Sequence, residues 1–584
     1  MNRTVVLLET GDPWATFARE MFDHLRLAYA PRAAGDLASS LDDAGVLLIP
    51  SAVTLDEASV RRVGEWVRSG GALLCGGGAA AFGPLAGVED ADAVPDGHIR
   101  IDPDVPWAAR FDVMLHAFGG RVLRSLDDVE VLARWIDGSP AVTRRAVGAG
   151  SVIVLGPDVW QSVGRIQQGW PVTGPGHPAG DGSAPVGADD ILRCDDGLAL
   201  DYVADRALPD GSTPEGAYPA SYPPITPVPV FHRAHADLWR ELVLQLLRDA
   251  AASGSVPLAW LHFWPSGVDA VGHMSHDADQ NKDEHARLAL GAFADADVRV
   301  SWCHCWPGGY SADVIEAIGA AGHEHALHYN ALDIDDGMPW GESGMAEQKA
   351  WAEALVGGPV VVNKNHYTRW EGWTEFFGWC DDLGVELDQT RGPSKPGTVG
   401  FPYGTTHVGF PVDADGRRFD VLSMPLHTQD VGYQSHEDVI DVILDEALAR
   451  HGVAHFLFHG TNMVGNQRVA RAVRRAAEAG RARSMPWWTA GEINSYERLR
   501  RGVDIEVAGR PDEVVLSIRS SSPLSEAGLV VDLPGRAEDW QAALDGTALP
   551  VADVQRAGRH ALEITLDLPA GPTQIVLTRH GLTE

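Results

Sequence analysis

The stretch that decides the reading is His273-Met274-Ser275-His276-Asp277-Ala278-Asp279, which follows an apolar, strand-like run at 258–264 after a short polar interruption. Side chains alternate along an extended segment, so carboxylates two residues apart point the same way. Like charges so placed repel unless a cation or a proton lies between them. A metal ion with a neighbouring base satisfies both carboxylates; an exposed acidic turn is the plain alternative.

Working outward, residues 298–305 read as the next strand and 311–319 as a helix, followed by Gly322-His323-Glu324-His325-Ala326-Leu327-His328-Tyr329-Asn330. His325 and His328 are three apart and so face opposite sides of a strand. Residues 360–366 form a buried apolar run that ends in Asn363-Lys364-Asn365-His366-Tyr367. Further on come Val399-Gly400-Phe401-Pro402-Tyr403-Gly404-Thr405 and His455-Phe456-Leu457-Phe458-His459-Gly460. Strands and helices in turn predict a parallel sheet covered by helices.

These motifs, in this order, resemble the NodB-homology polysaccharide deacetylases, carbohydrate esterase family four, over about residues 255–470. The resemblance implies a distorted (β/α) barrel and a divalent metal, Zn²⁺ foremost. It makes Asp277 the general base and Asp279 a metal ligand, with His328, at the end of its strand, a second ligand. The family's next histidine falls at Leu332, so the third ligand is expected from His366, with Asp333 as fallback. Tyr403 matches the tyrosine whose main-chain amide helps hold the oxyanion, although Gly400 replaces the arginine that orients the base. His459 matches the histidine that protonates the leaving group. The expected reaction removes an acyl group, N-acetyl first, from a carbohydrate or small acylated substrate. Two other readings stand beside it: a degenerate barrel kept as a glycan-binding or scaffolding module, and a hydrolase of cyclic amides. Cys303-His304-Cys305 has no second cysteine pair nearby and is not read as a zinc site.

The flanks read as separate modules. Residues 1–160 alternate apolar strands with helices, among them 56–68 with Asp56 at its start, and predict a doubly wound parallel sheet. They resemble the glutamine-amidotransferase-like domain of many carbohydrate-active enzymes. The nucleophile elbow of that domain is missing at Leu73-Leu74-Cys75-Gly76-Gly77, so Cys75 is expected to be buried and inert. Residues 161–233 are an irregular Gly/Pro-rich connection ending in Pro223-Pro224-Ile225-Thr226-Pro227-Val228-Pro229, and 234–500 hold the barrel with its leading helix at 234–251. From 501 to 584 the period changes to two, which predicts a small antiparallel β-sandwich. The whole is an α/β multidomain chain.

Composition narrows the partners. The 584 residues carry 81 acidic and 46 basic side chains, a net charge of −35, with lysine only at 282, 349, 364 and 395. Nucleic acid needs clustered positive charge and is not expected. No run approaches the ~18 apolar residues of a membrane span. The five cysteines are odd in number and scattered, which argues against a disulfide framework. A cytoplasmic protein is the expectation, with any self-association through the N-terminal domain.

Overall fold

The computed structural model describes residues 4–580 apart from 52, 127, 188, 207–228 and 511, so most of the Pro-rich run at 223–229 lies outside the described residues. Among the described residues the chain is a mixed α/β protein with one curled parallel sheet, a long mixed sheet and three antiparallel sheets, the smallest a two-stranded pair of Val88–Ala93 and Arg121–Ser125.

The curled sheet has eight strands: β1 (Val271–Asp277), β2 (Ser301–Cys305), β3 (Glu324–Tyr329), β4 (Val362–Asn365), β5 (Leu387–Asp388), β6 (Leu422–Ser423), β7 (Thr428–Gln429) and β8 (Val453–His459). Their order is β6-β5-β4-β3-β2-β1-β8-β7, with all neighbours parallel. The two edge strands, β6 and β7, are separated by only residues 424–427, so the sheet curls back on itself. Parallel strands roofed by helices are buried on both faces and usually read as apolar runs. Strand β1 departs from this: every residue is buried, yet His273, Ser275 and Asp277 alternate along one face. His273 bonds Gln389 and Ser275 bonds Lys364 and His455, residues of β4, β8 and the end of β5, so this face is the polar interior of the curl. His276 points the other way, its ring 4.0 Å from that of Trp302.

The N-terminal sheet departs from the doubly wound parallel expectation. Strands Ala30–Ala33, Thr4–Glu9, Ala44–Ile49, Ala72–Gly76 and Gly150–Leu155 are parallel neighbours, but the sheet continues antiparallel through Pro140–Val147, Glu130–Trp135, Asp96–Ile101 and Leu115–Phe118. The cause is connection length. Asp137-Gly138 and Gly148-Ala149 join strands by tight turns, which permit only antiparallel pairing. In the parallel half, helix Glu57–Arg68 starts where expected, with Asp56 accepting a hydrogen bond from the Ser59 amide at 2.7 Å.

Helix His235–Gly254 lies between modules and is buried nearly all round. It packs on strands Ala44–Ile49 and Ala72–Gly76. Trp239 Nε1 donates to the His116 carbonyl (2.8 Å), and Arg248 pairs with Asp532 (2.7 Å). Strand Leu258–Pro265, just upstream of the first motif, is not part of the curled sheet. It pairs antiparallel with Leu524–Asp532, so the C-terminal sandwich takes an edge strand from mid-chain. The two sandwich sheets share one apolar core, with Val507, Leu516 and Ile518 of one sheet against Leu529, Val531 and Ile564 of the other.

Among the described residues no helix is long and apolar enough to cross a membrane. All five cysteines are free and buried, and burial pushes the Cys75 thiol up to about 12. Thiolate is the reactive form. Titration with a thiol reagent at pH 8 should therefore count almost no accessible thiols in the native protein and five after denaturation. Fast native labelling at Cys75 would contradict this packing.

Candidate metal and acid–base site

The ends of four strands of the curled sheet meet at one point. Asp277 closes β1 and Asp279 follows it by two residues; His328 lies in β3, His366 directly follows β4, and His459 closes β8. Open α/β sheets place their sites beyond the carboxyl ends of strands, and this cluster conforms.

Asp279 Oδ1 lies 3.4 Å from His328 Nε2 and 3.5 Å from His366 Nδ1, and the two ring nitrogens are 3.0 Å apart. Bonds of about 2.0–2.2 Å at tetrahedral angles would set such donors roughly 3.3 Å apart. The donor set therefore suits a single small cation. Two further observations agree. Asp279 Oδ1 is buried without a hydrogen-bond partner, an orphan that needs an explanation. His328 Nδ1 donates to the Lys364 carbonyl at 3.0 Å, leaving Nε2 as a lone pair aimed at the cluster, the support that metal-binding imidazoles usually have. Among the described residues two other His/Asp groups are near enough to hold an ion, but hydrogen bonds and ion pairs within the protein already engage their carboxylates. Asp205 accepts from His98 (2.9 Å) and His116 (2.7 Å), while Asp269 pairs with Arg556 (3.1 Å).

Asp277 sits deeper, 4% exposed, with Oδ2 3.6 Å from His328 Nε2 and Oδ1 3.5 Å from Lys364 Nζ. Burial pushes its carboxyl up, but the neighbouring His328, Lys364 and His459 outweigh that and hold it below the ordinary carboxylate value. Lys364 is fully buried and donates to Ser275 Oγ at 2.6 Å, and that hydroxyl also meets His455 Nε2 at 2.9 Å. The positive charge beside Asp277 thus comes from β4, where the resemblance leads one to look for an arginine at Gly400.

His459 Nε2 lies 3.8 Å from Asp277 Oδ2 and 3.6 Å from Asp279 Oδ2. Its Nδ1 donates to Asp430 Oδ2 (2.6 Å), its main-chain amide donates to Asp430 Oδ1 (2.8 Å), and Asn462 Nδ2 donates to Asp430 Oδ2 (2.7 Å). Burial lowers its pKa, but Asp430, Asp279 and Asp277 together overcome this and raise it to about 10. These carboxylates favour the protonated imidazole.

The structure brings the side chains of Asp277, Asp279, His328, His366 and His459 together. Tyr403, expected to act through its main-chain amide, keeps its ring buried beside Arg391 and Cys194. Any part it plays at the cluster falls to its main chain, which lies in a turn where the Gly404 amide donates to the Phe401 carbonyl. Asp333 is exposed in a short 3-10 turn and is not among the clustered donors. Cys303-His304-Cys305 divides between faces: His304 bonds His325 at 2.8 Å on the helix side, and Gln389 donates to Cys303 on the interior side. Sequence reasoning missed Lys364 and Asp430. A lysine inside an apolar strand run was the available signal for the first; nothing local marked the second.

Segment 169–206 lies over the loops beyond β4 and β5. Val172 bridges to Gly372, Arg193 bridges to Arg369, and Asp195 accepts from Ser394 and Thr398 at 2.7 and 2.8 Å.

No family model matches the chain, and no curated protein matches it. Solved structures are similar over parts of it. A provisionally named polysaccharide deacetylase from Mycobacterium smegmatis shares 15% identity over 40% of this chain and 92% of that one, with a TM-score of 0.31. The exo-β-1,4-mannosidase Op5Man5 from Opitutaceae bacterium strain TAV5 shares 19% over 27% of this chain and 32% of that one, with a TM-score of 0.23. A β-galactosidase from Bacillus circulans sp. alkalophilus shares 13% over 28% and 30%, with a TM-score of 0.23. The chain spans about a third of the length of these glycosidases. Overlaps at such TM-scores say nothing of the chemistry.

The donor set makes a direct prediction. Asp279→Ala and His328→Ala should each lower affinity for a divalent ion by at least about a hundredfold while the melting transition survives, because each removes a ligand. His366→Ala should do the same. Full metal occupancy in Asp279→Ala, by elemental analysis, would rule the cluster out as the metal centre.

Proposed function

We propose that this chain is a cation-dependent hydrolase of the deacylase kind, removing an acyl group, N-acetyl foremost, from a carbohydrate. One observation carries the reading: two carboxylates and three imidazoles converge from four strand ends, with Asp279 Oδ1 buried and unbonded between two of the rings. An Asp-His-His donor set favours Zn²⁺ over Mg²⁺ or Ca²⁺, which prefer oxygen ligands. Such an ion, when bound, would polarise the acyl carbonyl and make water at the site more acidic.

The remaining work belongs to the side chains. Asp277 accepts the proton of the attacking water through Oδ2, the oxygen that faces His328 and His459. Lys364, 3.5 Å away, keeps this carboxylate ionised and fixed in direction. His459 gives its Nε2 proton to the departing nitrogen or oxygen, and Asp430 fixes the tautomer by holding Nδ1 at 2.6 Å. The main-chain amide of Tyr403 is assigned in this reading to the developing oxyanion. No step requires Cys75 or the C-terminal sandwich.

Acetate release from an N-acetylglucosamine oligomer, with Zn²⁺ and after chelation, tests the reading. Activity should need the metal. Asp277→Asn should keep the metal and lose about 10²–10⁴-fold in kcat, the usual size of a general-base contribution. Lys364→Gln, which keeps a donor for Ser275 but removes the charge, should lose roughly tenfold or more in kcat with metal content unchanged. Full turnover after chelation, or in Asp277→Asn, would contradict the mechanism.

A further inference from the structure

Away from the metal centre, one partly buried arginine side chain lacks a protein partner for its N–H groups among the described residues. Arg165, in helix Val159–Gln168, is enclosed by three indoles: its guanidinium carbon lies 4.9 Å from the Trp14 ring, 4.2 Å from that of Trp170 and 5.3 Å from that of Trp373. These rings come from the N-terminal module, the connecting segment and the loop after β4, so the cage sits on the seam of all three. Among the described residues no carboxylate pairs with Arg165, and its Nε is buried without an acceptor. Burial lowers its pKa with no neighbouring carboxylate opposing it.

That isolation is unusual for this chain, in which 81 acidic side chains face 46 basic ones. Arginines buried at other module boundaries have partners: Arg248 pairs with Asp532, Arg450 with Glu446 and Arg501 with Glu20, while Arg391, also stacked on aromatic rings, donates to the Gln167 and Trp373 carbonyls. A buried donor without an acceptor is costly unless something else satisfies it. Stacking covers the flat faces of the guanidinium and leaves the edge that carries its N–H groups. The two Nη groups, which unlike Nε are not sealed, form a fork that can receive a carboxylate through two parallel hydrogen bonds. Trp170, which stacks on the guanidinium, is also 43% exposed, so part of its indole stays open to solvent, a surface suited to the apolar face of a ring.

We infer that Arg165, Trp14, Trp170 and Trp373 form a binding site for a carboxylate carried on a ring, as in a uronate sugar. The carboxylate docks on the fork and the ring rests against Trp170. The site is independent of the metal centre, and its test reads binding rather than turnover.

Calorimetric titration of the full chain with D-glucuronate, D-glucose and inorganic phosphate separates the components. Glucuronate should bind at least about tenfold tighter than either glucose, which lacks the anion, or phosphate, which lacks the ring. Arg165→Lys, which keeps the charge among the indoles but loses the fork, should weaken glucuronate at least about fivefold with an unchanged melting transition. Equal affinity for glucuronate and glucose would overturn the inference without any variant. Phosphate binding as tightly as glucuronate would overturn the role of the ring, and unchanged glucuronate binding in Arg165→Lys would overturn the role of the fork.

Discussion

Two carboxylates, Asp277 and Asp279, leave the end of one buried strand on the same side, and the site is arranged to offset their repulsion. Each has burial working against its charge, yet both are held below the ordinary carboxylate value. The compensation comes from His328, His366, Lys364 and His459, which β3, β4 and β8 deliver to the same end of the sheet. A parallel arrangement does this readily, because every strand ends on the same side.

The supporting residues give the cluster its division of labour. The Lys364 carbonyl fixes the His328 tautomer, while its ammonium group sits beside Asp277 and bonds Ser275. One residue of β4 therefore supports both a metal-type imidazole and the proposed base. Asp430, just beyond β7, does the same service for His459. Partners of this kind orient the groups that do the chemistry, and their loss is commonly felt 10–100-fold. Among the described residues the other two His/Asp groups lack such an unsatisfied centre, since hydrogen bonds and ion pairs within the protein already engage their carboxylates.

Much of this was legible in the sequence, for physical reasons. Period-two polar residues in a strand otherwise destined for burial, ending in Asp-x-Asp, mark a polar interior, and β1 carries them. The opposite facing of His325 and His328 follows from strand alternation alone, and the structure pairs His325 with His304 on the helix side. What was not legible depends on pairing between distant segments. Asp430 meets His459 only because β7 lies beside β8. Leu258–Pro265 reads as a strand, but its choice of the sandwich over the curled sheet is set by a partner more than 250 residues away. The antiparallel half of the N-terminal sheet was missed because its short turns were weighed less than the strand–helix alternation preceding them.

The central claim is that the negative charge gathered at the end of β1 is completed by a divalent cation bound through Asp279, His328 and His366. Anomalous diffraction at the zinc edge from crystals grown with Zn²⁺ tests it most directly. The account predicts one strong peak bonded to Asp279 Oδ1, His328 Nε2 and His366 Nδ1. A peak at His98, His116 and Asp205 instead, or none within reach of Asp279, would contradict it.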